Sequence, residues 1–177
     1  MHYTKLGHSG LNVSRVCLGS MTWGRQNTQQ DADEQLNYAL AQGVNFIDTA
    51  EMYAVPPTPE TYGKTEAIIG DWLSRHSDKR KDVVIATKVA GNGLAWVRDG
   101  GDITKESVIS AVDGSLRRLQ TDHIDLYQIH WPNRTSPHFG KQWPGMVDLQ
   151  QIDKSAQRAQ MHAILEGLDA CVRAGKI

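Results

Sequence analysis

A disulfide framework, an excess of charge of either sign and long apolar runs are all missing from this sequence. Two cysteines in 177 residues, Cys17 and Cys171, stand far apart in apolar surroundings. That pattern excludes a cystine-stapled scaffold and fits buried thiols in a reducing compartment. Nineteen basic and 20 acidic residues are interspersed and leave a formal charge of −1. No electrostatic footprint for nucleic acid or an anionic lipid surface follows from that balance. No run approaches the roughly 20 apolar residues that a membrane-spanning helix needs. The start, MHYTKLGHSG, has no apolar stretch behind a basic segment. A soluble, cytoplasmic protein is expected. No low-complexity tract or shift of composition divides the chain, so residues 1–177 are expected to form a single domain.

What is present is a repeating theme. Hydrophobic residues make up 40% of the chain, enough for a sizeable core. In TKLGHSGLNVS, Gly7, Ser9 and Gly10 separate two short alternating stretches and predict a β-hairpin. Strand-like runs then alternate with helical patterns. RVCLGSMT (15–22) precedes DADEQLNYALAQG (31–43), where Leu36 and Leu40 lie one turn apart and Gly43 marks the stop. VNFID (44–48) precedes TEAIIGDWLSR (65–75), which sets Ile68, Ile69, Trp72 and Leu73 on one face. VVIATKV (83–89) precedes a helix capped by Thr104 and carrying Val108, Val112, Leu116 and Leu119. IDLYQIH (124–130) is followed by a helix over about 155–174 with Met161, Leu165, Leu168 and Val172 at intervals of three and four, closed by Gly175. Four strand–helix units with strands apolar on both sides predict an α/β fold, a parallel sheet covered by helices.

In such a sheet the C-terminal ends of the strands share one rim, where functional groups gather. Asp48 ends the second run, Lys88 nearly ends the third and His130 ends the fourth, 40 and 42 residues apart. That spacing of one unit each predicts convergence, with Tyr53 in the loop just past Asp48 folding over them. Taken singly, each has a simpler reading: Asp48 as a turn or cap residue, Lys88 as a strand-end charge reaching water, His130 as a core histidine and Tyr53 as packing. Together they make a proton-transfer set. Lys88 would stabilise the Tyr53 phenolate and lower the phenol's pKa, Asp48 would balance the buried ammonium, and neutral His130 would hydrogen-bond a substrate carbonyl. No nucleophile with a base and oxyanion hole and no metal-ligand spacing is visible, so hydrolysis and metal catalysis rank low.

GSMTWG (19–24), GVNFIDTAEMY (43–53), ETYGKTEAIIGDWL (60–73), VIATKV (84–89), SLRRLQTDHIDLYQIHWP (115–132) and VRAGKI (172–177) together resemble the aldo-keto reductases, closest to the Tas-like branch. The resemblance implies the N-terminal half of a (β/α)8 TIM barrel, NADPH as cofactor and reduction of aldehydes or ketones. It assigns the tetrad to Asp48, Tyr53, Lys88 and His130, with Tyr53 as proton donor. It places Met21, Thr22 and Gln26 along the cofactor, with Asp48 also at its ribose. Trp23 and Trp131 would wall the substrate pocket, core packing being the other reading for both.

The sequence also departs from the family. A complete barrel has eight strands and about 250 residues, whereas four units are visible here. The family's fifth strand, with the Ser–Asn pair that holds the nicotinamide amide, would begin just after Lys176, and most other cofactor positions would follow it. Half a barrel leaves unpaired edges and an apolar interior. A truncated reductase that self-associates or pairs with a complementary half is therefore expected, and the connection 131–154 is expected to fold across an exposed edge. The alternatives are a catalytically incompetent half-barrel and a non-catalytic cofactor-binding module.

Overall fold

The computed structural model describes residues 1–133 and 153–177. Most of the connection expected to cover an edge lies outside the described residues.

The chain opens with β1 (Tyr3–Lys5) and β2 (Asn12–Ser14), an antiparallel pair with Tyr3 opposite Ser14. Gly7 and Gly10 take positive φ between them, as the hairpin reading requires. The hairpin is tied to the start of the sheet. Tyr3 donates its hydroxyl hydrogen to the Gly43 carbonyl, and Ser14 N–H donates to Asn45 Oδ1 at 2.7 Å.

Then come β3 (Cys17–Gly19), α1 (Gln29–Ala41), β4 (Phe46–Asp48), α2 (Lys64–Arg75), β5 (Val84–Val89), α3 (Lys105–Leu119), β6 (Leu126–Ile129) and α4 (Lys154–Arg173). The four later strands form one parallel sheet in the order β3-β4-β5-β6, so every crossover joins neighbours. Among the described residues β3 and β6 are its edges. No helix among those residues is long and apolar enough to cross a membrane.

The register explains which side chains meet. Leu18, Ile47 and Ile85 lie level across three strands, and so do Val89 and Ile129 across two. These point to the helical layer, where Leu36 of α1, Ile69 and Trp72 of α2 and Leu119 of α3 pack against them, each nearly inaccessible to water. Full burial of one such side chain is worth about 1.5–3 kcal/mol, so α2, with four, is held mainly by its apolar face. Local caps set the helix starts. Thr28 and Asp31 bond each other's backbone at the start of α1, and Thr104 and Ser107 do the same at α3.

Two expectations change. On α4, Leu168 packs against the core as expected, but Met161, Leu165 and Val172 of the same stripe are 38%, 50% and 56% exposed, and the buried residues are Ile164, Gly167 and Cys171. Spacing of three and four allows either face. Close approach of α3 selects the small one, because a Cβ on Gly167 would lie 2.8 Å from the Lys105 carbonyl oxygen. Cys171 is buried as expected, but Cys17 is exposed. The alternation of β3 sends Leu18 into the core and turns Cys17 to the opposite face, where partial burial and then the Asp48 carboxylate push its thiol up to about 11.

Candidate active site

Asp48 is the last residue of β4, Lys88 the penultimate residue of β5, and His130 follows β6 directly. His130 N–H donates to the Val89 carbonyl at 2.9 Å, which extends the ladder by one residue and holds the imidazole at the rim. Lys88 Nζ lies 2.7 Å from Asp48 Oδ2 and donates to the Thr49 carbonyl at 2.7 Å. The two side chains are 13% and 31% exposed, dry enough for the pair to be ordered and open enough for the carboxylate to meet another donor.

Tyr53 comes back over this pair because the loop after β4 is a tight turn, with Tyr53 N–H donating to the Ala50 carbonyl. Lys88 Nζ stands 5.3 Å from the centre of the Tyr53 ring, and the ring meets His130 edge-on at 5.6 Å. The four residues predicted to converge are thus together at one mouth of the sheet.

One part of the expected electrostatics is corrected. Burial, and then the Asp48 carboxylate, hold the Tyr53 phenol above its ordinary value instead of lowering it. Lys88 faces the ring rather than leading the balance at the hydroxyl, and its charge is engaged with Asp48. Tyr53 therefore stays protonated at neutral pH. His130 behaves as expected of a neutral imidazole: burial, and then Lys88, lower it to about 4.

The other predicted residues separate. Trp131 is 4% exposed, tilts against His130 at 5.2 Å and packs with Ala50, Met52, Ala90 and Val97, so it backs the mouth. Trp23, 1% exposed, lies in the helix-side core beside Leu36 and Ile68 and donates to Gln35 Oε1 at 3.0 Å. Its placement is that of core packing, not of a pocket wall. Met21 is 50% exposed and its carbonyl accepts from Val55 N–H, which places it next to the Tyr53 loop. Thr22 spends its hydroxyl on Asn27 Oδ1 at 2.7 Å, and Gln26 is exposed. For a nicotinamide cofactor the fit is partial: Asp48 has accessible carboxylate surface and Met21 an accessible apolar flank, while the Thr22 hydroxyl is already engaged. A cavity of about 440 Å³ lined by Tyr3, Leu40, Val44, Trp72 and His76 lies at the other end of the strands and includes none of these groups.

Sequence reasoning missed the buried charges around the mouth. Glu51 and Glu66 are both 0% exposed. Glu51 is held by Arg98, Tyr62 and the Ala90 N–H, and Glu66 by Arg118 and Thr87. Burial, and then Glu51, push the Tyr62 phenol up to about 12, which keeps it a donor. The signal available was a carboxylate inside an apolar stretch, as in AEMYA and TEAII, since a charge there must find a partner.

Comparison with known proteins identifies relatives of this chain. The model of the Aldo/keto reductase family matches residues 15–177. Protein tas of Escherichia coli is 44% identical to this chain, covering 100% of it and 50% of that protein. The uncharacterized oxidoreductase YrpG of Bacillus subtilis is 40% identical over 77% of the chain and 42% of its own length. Aldo-keto reductase YhdN of the same organism is 35% identical over 77% of the chain and 40% of its own length. The chain spans about half the length of the curated relatives it matches.

Proposed function

From its membership of the aldo/keto reductase family, to which this chain belongs, we propose that the chain carries the proton-transfer side of an NADPH-dependent carbonyl reductase acting in the cytoplasm. The observation that supports this best is the Lys88–Asp48 pair under the Tyr53 ring with His130 at its edge. NADPH, when bound, would supply the hydride to the carbonyl carbon; Asp48, Met21, Thr22 and Gln26 are the residues of this chain that would meet it.

This chain's own residues handle the oxygen. A neutral His130 donates a hydrogen bond to the carbonyl and sets its angle. Tyr53 gives its hydroxyl proton to the oxygen as negative charge develops there. The phenolate left behind is stabilised by the nearby Lys88 ammonium, which Asp48 keeps charged and in place. Trp131 and Met52 exclude water from one side. The same reading includes an associated partner, a second copy or a complementary half-barrel, supported by the exposed Met161, Leu165 and Val172 of α4.

The test is a fluorescence titration with NADPH, then NADPH oxidation across a panel of aldehydes and ketones, with the mass in solution measured alongside. Oxidation that disappears in Tyr53→Phe supports the reading. Tight NADPH binding without turnover would replace it with the non-catalytic module, and no binding with the incompetent half-barrel.

A further inference from the structure

Glu51 is a fully enclosed charge at the mouth. Its carboxylate accepts from Arg98 Nη1 at 3.0 Å and Nη2 at 2.8 Å, from the Tyr62 hydroxyl at 3.0 Å and from Ala90 N–H at 2.6 Å. Its backbone N–H donates to the Lys88 carbonyl at 3.2 Å, and its carbonyl accepts from Gly63 N–H at 2.8 Å. The residue therefore grips β5 on both sides of Val89 and also anchors the segment that enters α2. It stands two positions before Tyr53. Desolvating a carboxylate this fully costs several kcal/mol, and an apolar residue would fill the same space without that cost. What an apolar residue lacks is the set of directed bonds that joins three segments in one geometry.

The contacts continue beyond Tyr62. Arg118 lies over the Tyr62 ring at 5.2 Å and binds Glu66 at 2.7 Å, and Glu66 accepts the Thr87 hydroxyl at 2.5 Å. Thr87 precedes Lys88. The buried charges thus leave the mouth on the Tyr53 side and return to β5 directly behind the ammonium.

We propose that Glu51, clamped by Arg98 and Tyr62, is a positioning residue that sets where the Tyr53 ring lies relative to Lys88 and His130. Its purpose rests on the reductase reading, but its test does not. Tyrosine labelled with carbon-13 is incorporated into the full chain, and the Tyr53 signals are assigned by their loss in Tyr53→Phe. Two readouts are followed: the nuclear Overhauser contact between the Tyr53 and His130 rings, and the pH titration of the Tyr53 phenol. Glu51→Gln keeps the shape but removes the charge that Arg98 requires. A ring displacement of about 0.5 Å, the tolerance of a working site, weakens a contact of this steepness about two-fold. That loss is expected, with the Tyr53 titration moving toward that of free tyrosine and the signals of Tyr3, at the opposite end of the strands, unmoved. Arg98→Lys, which keeps charge but not the fork, should give an intermediate loss. A folded Glu51→Gln variant with the wild-type Tyr53 contact and titration overturns the proposal, as does a variant in which Tyr53 and Tyr3 shift alike. Should Glu51→Gln fail to fold, Tyr62→Phe, which removes one bond, decides on the same readouts. Absence of NADPH oxidation in the wild-type chain would end the reductase reading and leave these measurements standing.

Discussion

Lys88 Nζ lies 2.7 Å from Asp48 Oδ2, although the strand register sets Asp48 opposite Ala86 and Lys88 opposite Gln128. The lysine leans back from the edge of the mouth to reach the carboxylate, when water lies in the other direction. The pair is therefore a feature of the inner face of the sheet, and it holds the ammonium over Tyr53.

Replacing Lys88 by Met leaves Asp48 without its cation. For a fully buried pair that loss costs about 3–5 kcal/mol; with the carboxylate partly open to water, about 1–3 kcal/mol is expected. Urea denaturation measures it, and an unchanged midpoint would show that the pair contributes nothing to the fold.

Tyr53→Phe removes one hydroxyl and keeps the ring against His130. If the phenol is the proton donor, kcat for carbonyl reduction falls by about 10²–10⁴ with little change in NADPH affinity. Retained turnover would assign the proton to another group.

His130 supplies a pH dependence of known sign. Its folded-state value is lowered to about 4 from an ordinary 6.5, so between those values the unfolded chain binds more protons than the folded one. The stability from the neutral imidazole is present in full above about 6.5 and is lost as pH falls through about 4. Denaturation midpoints for wild type and His130→Gln should run parallel above pH 7 and converge or cross on acidification. Parallel curves down to pH 4 would contradict the shift.

Gly91 lies beneath Trp131, and a Cβ there would collide with the indole ring and the Trp131 carbonyl oxygen. Gly91→Ala is expected to cost about 1–3 kcal/mol as overpacking. It should also displace Trp131 from His130, so that the imidazole titrates closer to its ordinary value by NMR. A variant with wild-type stability and titration would show that the mouth yields at this point.

Periodicity carried the fold because it depends on residues close in sequence. VVIATKV, TEAIIGDWLSR and the Thr104 cap lie within a residue or two of β5, α2 and the start of α3. The same local logic could not choose between the two stripes of α4, since both repeat at three and four and only the approach of α3 at Gly167 separates them. Trp23 was likewise ambiguous: an indole in GSMTWG suits a pocket or a core, and the choice depends on where α1 and α2 lie.

By itself the sequence determined the order of strands and helices, the parallel sheet and the gathering of Asp48, Tyr53, Lys88 and His130 at one end, because alternation and strand ends dictate those without any long-range contact. Only the tertiary structure decided that Lys88 turns inward to Asp48, that burial and Asp48 keep Tyr53 protonated, and that Glu51 and Glu66 are sunk among Arg98, Arg118 and Tyr62. All of these depend on desolvation, and the Lys88–Asp48, Arg98–Glu51 and Arg118–Glu66 contacts join residues 40, 47 and 52 apart in sequence, which meet once the helical layer closes over the sheet.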